Sequence, residues 1–115
     1  MKDVSKKITY KDKEYTLVFN INVMEEIQNE FGNIEKWGQL SDSSNGEPNI
    51  KALKFGIAAM LNEGIDIDNE KNGTDMQPFT LKQGGRLISE IGMENTANDL
   101  NDAVIESTKS TEKNA

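Results

Sequence analysis

The chain has 115 residues, 35% of them hydrophobic, and its 20 Asp and Glu outnumber its 13 Lys and Arg to give a formal net charge of -7. A chain of this length supports one modest core, and an acidic surface repels phosphate groups, so we expect a single domain that binds neither nucleic acid nor an anionic membrane. The chain contains no Cys and no His, which excludes disulfides, thiolate nucleophiles and histidine-based catalysis or metal binding.

The sequence shows no segment typical of secretion or membrane insertion. Its first residues are charged and lack the apolar run of a secretion signal, and no window reaches the roughly 20 apolar residues of a membrane span. We therefore expect a cytoplasmic protein.

Two short runs of β-branched and aromatic residues, 8–10 and 15–19, flank the polar residues 11–14. This pattern predicts an N-terminal β-hairpin. A lone hairpin is marginally stable in water, so we expect helices to cover one of its faces. Alternation along the second strand assigns to that covered face Tyr15, Leu17, Phe19 and Ile21.

Two helices are predicted after the hairpin. Asn22 has the side-chain oxygen that an N-cap requires, and Glu25 completes a capping-box pattern. The first helix is therefore predicted to begin at Asn22 and to stop at Gly32. A short second helix is predicted over residues 33–40, which include the single tryptophan, and the polar residues 41–47 predict a solvated loop.

The most apolar segment of the chain follows this loop. Pro48 fits the entrance of a helix, and apolar residues recur at helical spacing from Ile50 to Leu61. We place this helix at the centre of the core and expect it to end near Gly64. Residues 63–77 are acidic and rich in Asn, so we expect them to form a long connection.

Two further helices are predicted in the C-terminal third. Thr80 and Gln83 form a capping-box pattern, Gly92 closes the helix that they begin, and a last amphipathic helix follows. Residues 107–115 lack apolar periodicity, so we expect a flexible polar tail beyond a single α+β domain over residues 1–106. The predicted fold is an N-terminal β-hairpin packed on a small bundle of four to five helices.

Two adjacent glycines, Gly84 and Gly85, fall on the same helix face as Leu81 and Ile88. Together they cost about 2 kcal/mol in helix propensity relative to alanine. Close packing against a neighbouring helix would offset this cost, and so would a hinge or a groove for a partner.

Asp68, Glu70, Asn72 and Gly73 match the first half of a calcium-binding EF-hand loop. The second half does not match, because the twelfth position holds Phe79 where the loop requires Glu. We interpret the segment as a solvated acidic loop.

Paired carboxylates are a further candidate for chemistry. Glu25 with Glu26, and Asp99 with Asp102, could perform acid–base catalysis only if burial separated their pKa values. The pattern places them on exposed positions, and no glycine-rich phosphate loop accompanies the acidic residues. We expect a protein without enzymatic activity, catalytic residues, cofactors or metal ions.

Two features of the sequence could bind a partner. Trp37, Phe31 and Phe55 are either core residues or anchors at an interface. An uncovered edge of the hairpin could accept an extended segment by strand addition.

The order of the segments carries a family resemblance. A hairpin with KEYTLVFNIN over residues 13–22 precedes a helix with EEIQNEFGNIEKW over 25–37, and the apolar helix KALKFGIAAMLNEG over 51–64 precedes an acidic linker and two more helices. Over roughly residues 8–109, this arrangement resembles the short tail assembly chaperones of long-tailed bacteriophages and prophages of Gram-positive bacteria. The residues that carry the resemblance are Phe19, Ile21, Asn22, Glu26 or Glu30, Gly32 and Glu35.

The resemblance implies a non-enzymatic role in tail assembly. Such chaperones coat the tape measure protein and keep it soluble until tail tube subunits polymerise around it and displace them. The implied partners are the tape measure protein and the tail tube protein, and self-association would suit the coating role. Two alternatives stay open, namely a structural or head–tail joining component of the virion and an acidic regulatory protein that mimics DNA.

Overall fold

The computed structural model describes residues 6–42, 44 and 46–114. Over these residues the chain forms an antiparallel two-stranded hairpin followed by five helices. The predicted α+β arrangement, with the hairpin at the N-terminal side of the helices, is confirmed. The elements are β1 (Lys6–Tyr10), β2 (Lys13–Leu17), α1 (Ile21–Phe31), α2 (Ile34–Ser41), α3 (Ile50–Asn72), α4 (Leu81–Ile91) and α5 (Met93–Asn114).

A two-residue turn joins the hairpin strands, and both of its residues adopt positive φ, 52° at Lys11 and 64° at Asp12. This backbone matches the right-handed twist of the strands, which favours the primed hairpin turns. Leu17 is fully buried, as predicted, whereas Ile21 is 74% exposed. The prediction for Ile21 was wrong because the strand ends at Leu17 and Ile21 is the first residue of α1.

The N-cap of α1 is Asn20, whose Oδ1 accepts a hydrogen bond from the Val23 amide at 3.2 Å. The prediction of Asn22 as the cap was therefore wrong by two residues. Both asparagines suit a cap, but the backbone is extended at Asn20 and already helical at Asn22. The predicted stop at Gly32 is confirmed, because Gly32 caps the helix with φ of 98°.

The indole of Trp37 on α2 is a core group. Trp37 is 3% exposed, its Nε1 donates to the Ala52 carbonyl oxygen at 3.0 Å, and its ring stacks on Phe19. A Cβ at Gly56 of α3 would lie 2.6 Å from the indole, so the absence of a side chain there makes room for it. The core interpretation of Trp37 is confirmed.

Helix α3 crosses the centre of the molecule and contacts β2 and every other helix. The helix continues through Gly64 to Asn72, so the predictions of an end near Gly64 and of a connection from residue 63 were wrong. A Cβ at Gly64 would collide with the carbonyl oxygen of Thr16 on β2. Gly64 therefore permits close packing of the hairpin, and Gly73 with φ of 65° ends the helix.

The segment after α3, residues 74–79, forms neither helix nor strand and is here named the strap. Two asparagines seven residues apart on α3 hold its backbone with their side-chain amides. Asn62 accepts from the Phe79 amide at 2.6 Å and donates to the Phe79 carbonyl at 2.9 Å. Asn69 forms the same pair of bonds with Met76, each at 3.0 Å. The strap is therefore attached to α3 at two points.

Helix α4 begins at the predicted capping box, in which Thr80 and Gln83 exchange side-chain to backbone hydrogen bonds. Gly92 closes the helix, also as predicted. A Cβ at Gly84 would meet Ile57 of α3 at 3.5 Å, an ordinary van der Waals distance, so this glycine lies against the central helix but space does not require glycine there. The packing explanation for the two glycines stays a prediction.

Helix α5 buries Ala97, Leu100 and Ala103 against the rest of the molecule. Its backbone remains helical to Asn114, whereas the sequence predicts a polar tail over residues 107–115. Residue 115 lies outside the described residues, and the flexibility of the tail stays a prediction.

Candidate functional site

The residues of the EF-hand-like segment are helical up to Asn72, so the interpretation as a loop was wrong. Asp66, Asp68 and Glu70 lie on the last turns of α3, where alternate residues project about 200° apart around the helix axis. Carboxylates in this arrangement do not converge on one point. Among the described residues, no three acidic side chains lie close enough to hold a metal ion.

The carboxylate pair on α1 faces acidic residues of α3. Partial desolvation, followed by the nearby carboxylates of Glu63, Asp66 and Glu25, raises the pKa of Glu26. Glu63 also accepts hydrogen bonds from the side-chain amides of Asn20 at 2.8 Å and Asn22 at 3.1 Å. Glu63 thus attaches the start of α1 to α3.

The carboxylate pair on α5 binds the hairpin. Lys6 Nζ of β1 lies 3.2 Å from a carboxylate oxygen of Asp102 and 4.0 Å from one of Asp99. Desolvation raises the pKa of Asp99, the Lys6 ammonium opposes this shift, and Asp102 adds to it. Both aspartates are partly buried, so the exposed positions expected from the sequence were wrong, and their contact with Lys6 gives them a role in the attachment of β1 to α5.

An apolar surface lies between the first turns of α3 and helix α4 and is here named the α3–α4 groove. Two adjoining hollows of about 270 and 290 Å³ share Ile50 and Lys54. Ile50 is 59% exposed and Leu81 is 51% exposed. The groove is defined by Glu30, Ile50, Lys51, Lys54, Phe55, Leu81 and Met93.

The position of Ile50 and Leu81 explains their exposure. Each is the first residue of its helix, directly after the N-caps Asn49 and Thr80. The side chain of a first-turn residue points back towards the helix N-terminus, so it extends beyond the packed body of the helix. Of the two apolar residues that the sequence places on one face of α4, Ile88 is buried and Leu81 is exposed.

Two lysines and one glutamate border this apolar surface, although the chain as a whole is acidic. The ammonium group of Lys51 lies 3.0 Å from the Glu30 carboxylate and 5.7 Å from the centre of the Phe31 ring. Lys54 lies across Gly85, since its Cε is 3.5 Å from the position of a Cβ there. The N-terminal end of α3 adds the positive end of a helix dipole, whereas both ends of α4 border the groove.

Phe31 and Phe55 lie at the edge of the α3–α4 groove, and not in the centre of the core. Both rings are partly buried, and they meet edge to face at 5.6 Å between centroids. Of the three aromatic residues that the sequence singles out, Trp37 is buried, whereas Phe55 lines the groove.

The outer edge of β1 carries main-chain groups that β2 does not use. The two-residue turn makes Tyr10 and Lys13 a hydrogen-bonded pair, and bonded and non-bonded pairs alternate along the ladder. The amides and carbonyls of Lys7 and Thr9 therefore point away from β2. Within the described part of the chain, no main-chain hydrogen bond from another element reaches them.

Comparison of the chain with protein-family models, with curated proteins and with solved structures finds no match. Among the described residues, none of the helices is long and apolar enough to cross a membrane. The α3–α4 groove and the β1 edge are two surfaces of the described residues on which a partner could bind.

Proposed function

We propose that this protein is a non-enzymatic phage tail assembly chaperone that binds the tape measure protein and keeps it soluble until tail tube subunits polymerise. The order of hairpin, two short helices, long central helix, acidic segment and two further helices supports the proposal, since this order carries the resemblance to that class. The class requires a surface that holds apolar segments of another chain and later releases them.

The α3–α4 groove is the single observation that supports this role most. Completing the burial of Ile50 and Leu81 would stabilise a complex by roughly 1–3 kcal/mol. Many interactions of this size together hold a long partner chain, and each one is weak enough to be released separately. Lys54 favours segments in which an acidic residue flanks the apolar ones, whereas the charge of Lys51 is already balanced by Glu30. Met93 adds a side chain that adapts to different shapes.

Co-expression with the tape measure protein encoded in the same phage or prophage tests the proposal. The chaperone should co-purify with it and increase its soluble fraction at salt concentrations from about 50 to 500 mM, since apolar contacts persist when charges are screened. The double variant Ile50→Ser with Leu81→Ser should lose most of this association. A matched control is Ile21→Ser, because Ile21 is also an exposed first residue of a helix but lies outside the groove.

Three results would count against the proposal. Absence of association at every salt concentration would exclude the chaperone role. Equal loss of binding in the Ile21→Ser control would exclude the α3–α4 groove as the binding site. Presence of the protein in purified virions would favour the alternative of a structural or head–tail joining component.

A further inference from the structure

A second groove lies between α2 and α5, on a surface that shares no residue with the α3–α4 groove. Its volume is about 430 Å³, and it is here named the α2–α5 groove. Its apolar lining includes Ile34 and Trp37 from one helix and Ala97, Leu100 and Val104 from the other. We propose that this groove binds one amphipathic helix of a partner protein, with basic residues beside its apolar face.

Gly38 of α2 indicates that the groove is shaped for an occupant. A glycine inside a helix costs about 1 kcal/mol relative to alanine. Contacts within the fold explain the glycines at positions 56 and 64, where a Cβ would meet Trp37 or Thr16. At Gly38 a Cβ would have no atom within 4 Å, so packing within the chain does not require glycine there. Because residue 38 has no side chain, α2 does not project into the groove at this position.

The walls of the groove decide the backbone conformation of the occupant. Both walls are helices, whose main-chain hydrogen bonds are used internally. An extended peptide would find no strand edge to pair with, whereas a helix satisfies its own backbone. The α5 wall extends from Ala97 to Val104, which is about 10 Å, or two helical turns. Such a length accommodates apolar side chains at positions i, i+3 or i+4, and i+7.

The charges on the rim of the groove determine which charged side chains are favoured on the bound helix. Among the described residues, the ionisable side chains that line the groove are Glu35 and Asp42, whose carboxylate accepts hydrogen bonds from the amide and hydroxyl of Ser44, and the other polar lining residues are uncharged. Basic side chains beside the apolar face of the occupant would be attracted to this rim, and acidic ones would be repelled. The preference is opposite to that of the lysine-rimmed α3–α4 groove, so the two surfaces would distinguish between partners. The proposal does not depend on the chaperone function.

Two synthetic peptides of about 15 residues test the proposal, a length at which an alanine-rich helix forms in water. Both carry Leu at i, i+3 and i+7 on an alanine background, and they differ only in Lys or Glu beside the leucines. Trp37, the single tryptophan, reports binding through its emission, and backbone amide shifts report the location. The Lys peptide should bind about five- to tenfold more tightly than the Glu peptide at low salt.

Gly38→Leu fills the groove and should weaken binding of the Lys peptide at least about tenfold. Gly38→Ala should raise the melting temperature, because alanine favours the helix and meets no neighbour. The same variant should bind the Lys peptide more weakly than the wild type does. The matched control is Gln39→Leu, next in sequence but outside the groove, which should bind as the wild type does.

The proposal is overturned if the Lys peptide changes neither Trp37 emission nor the amides of α2 and α5. It is also overturned if the shifts fall on α3 and α4, or if Gly38→Leu binds as tightly as the wild type. Because the peptides are unrelated to the tape measure protein, these results leave the chaperone proposal unaffected.

Discussion

Helix α3 holds two segments, β2 and the strap, by different means. Against β2 the contact is made by main-chain atoms, since Gly64 lies directly on the Thr16 carbonyl, and just after β2 the Val18 amide donates to the Met60 carbonyl at 3.3 Å. The strap has one main-chain bond to α3, from the Thr74 amide to the Asn69 carbonyl at 3.1 Å, but beyond it the contact is made by the side-chain amides of Asn62 and Asn69.

This difference predicts a difference in tolerance to substitution. Close contact between two backbones leaves no room for an added atom, because neither segment can move without disturbing its own hydrogen bonds. A side-chain attachment leaves a gap that water can enter when the side chain is removed. Substitutions at the β2 contact should therefore cost more stability than substitutions at the strap.

The largest effect is expected for Gly64→Ala. The new methyl group would overlap the Thr16 carbonyl oxygen, and β2 would have to move away from α3. Overpacking of this kind typically costs 1–3 kcal/mol, and we expect about 2 kcal/mol after the gain in helix propensity. Thermal unfolding should show a loss of about 8 °C in melting temperature for a chain of 115 residues.

The control for this prediction is Gly85→Ala. Gly85 is also a glycine inside a helix, but an added Cβ there would make an ordinary contact of 3.5 Å with the flexible Lys54 side chain. This variant should be as stable as the wild type or up to about 1 kcal/mol more stable. A melting temperature of Gly64→Ala at or above that of the wild type would contradict the close-contact explanation.

A smaller loss is expected for Asn62→Ala at the strap. The substitution removes both hydrogen bonds to Phe79 and leaves a partly buried amide and carbonyl without their partner. We expect a loss of about 1–2 kcal/mol in the free energy of unfolding. The Phe79 ring also packs edge to face on Tyr15 at 5.2 Å. Because the Phe79 amide loses its acceptor, its hydrogen exchange should become faster. Unchanged exchange at Phe79 would show that the strap does not depend on Asn62.

Asn69→Ala should cost less than Asn62→Ala, although Asn69 makes more hydrogen bonds. Its side chain binds Met76 and also accepts from the Thr74 hydroxyl at 2.8 Å, but these bonds are exposed to solvent. Water replaces exposed bonds at little cost, so we expect a loss of about 0.5–1 kcal/mol. Chemical denaturation of both variants provides the comparison. A larger loss for Asn69→Ala would contradict the argument from exposure.

The sequence correctly predicted those helix ends that depend on a capping residue at the end itself. The stops at Gly32 and Gly92 and the capping box at Thr80 are of this kind. Gly64 was misread as a stop because a helix-ending glycine and a glycine under a neighbouring strand look the same in the sequence. Only the position of Thr16, 48 residues earlier in the chain, distinguishes them.

The candidate site was less predictable than the fold. Helical spacing placed Ile50 and Leu81 on apolar stripes, and the exposure of each depends on how α3 and α4 cross. One signal was present in the sequence, since each residue follows its N-cap and a first-turn side chain points away from the helix body. The α2–α5 groove had no sequence signal of its own, because a glycine at position 38 acquires meaning only when the space around it is known.

The smallest effect on stability is expected for Glu26→Gln. Glu26 lies near Glu63, which attaches the start of α1 to α3. The pKa of Glu26 is raised above its ordinary value of 4.5, so the folded state binds a proton more tightly than the unfolded state does. Stability therefore falls as the pH rises from 4.5 through the raised pKa, and the cost remains at neutral pH. Removing the charge should make the variant slightly more stable than the wild type at pH 7 and equal to it below about pH 4.

Solvent screening keeps this effect small, since Glu26 is exposed, and about 0.5 M salt should reduce it further. Glu90→Gln removes the same charge from α4, outside the group of carboxylates that act on Glu26, and provides the control. Melting temperatures measured from pH 3 to pH 8 should diverge between wild type and Glu26→Gln only on the alkaline side. Equal gains in both variants would assign the effect to the net charge of -7 and not to the carboxylates of α1 and α3.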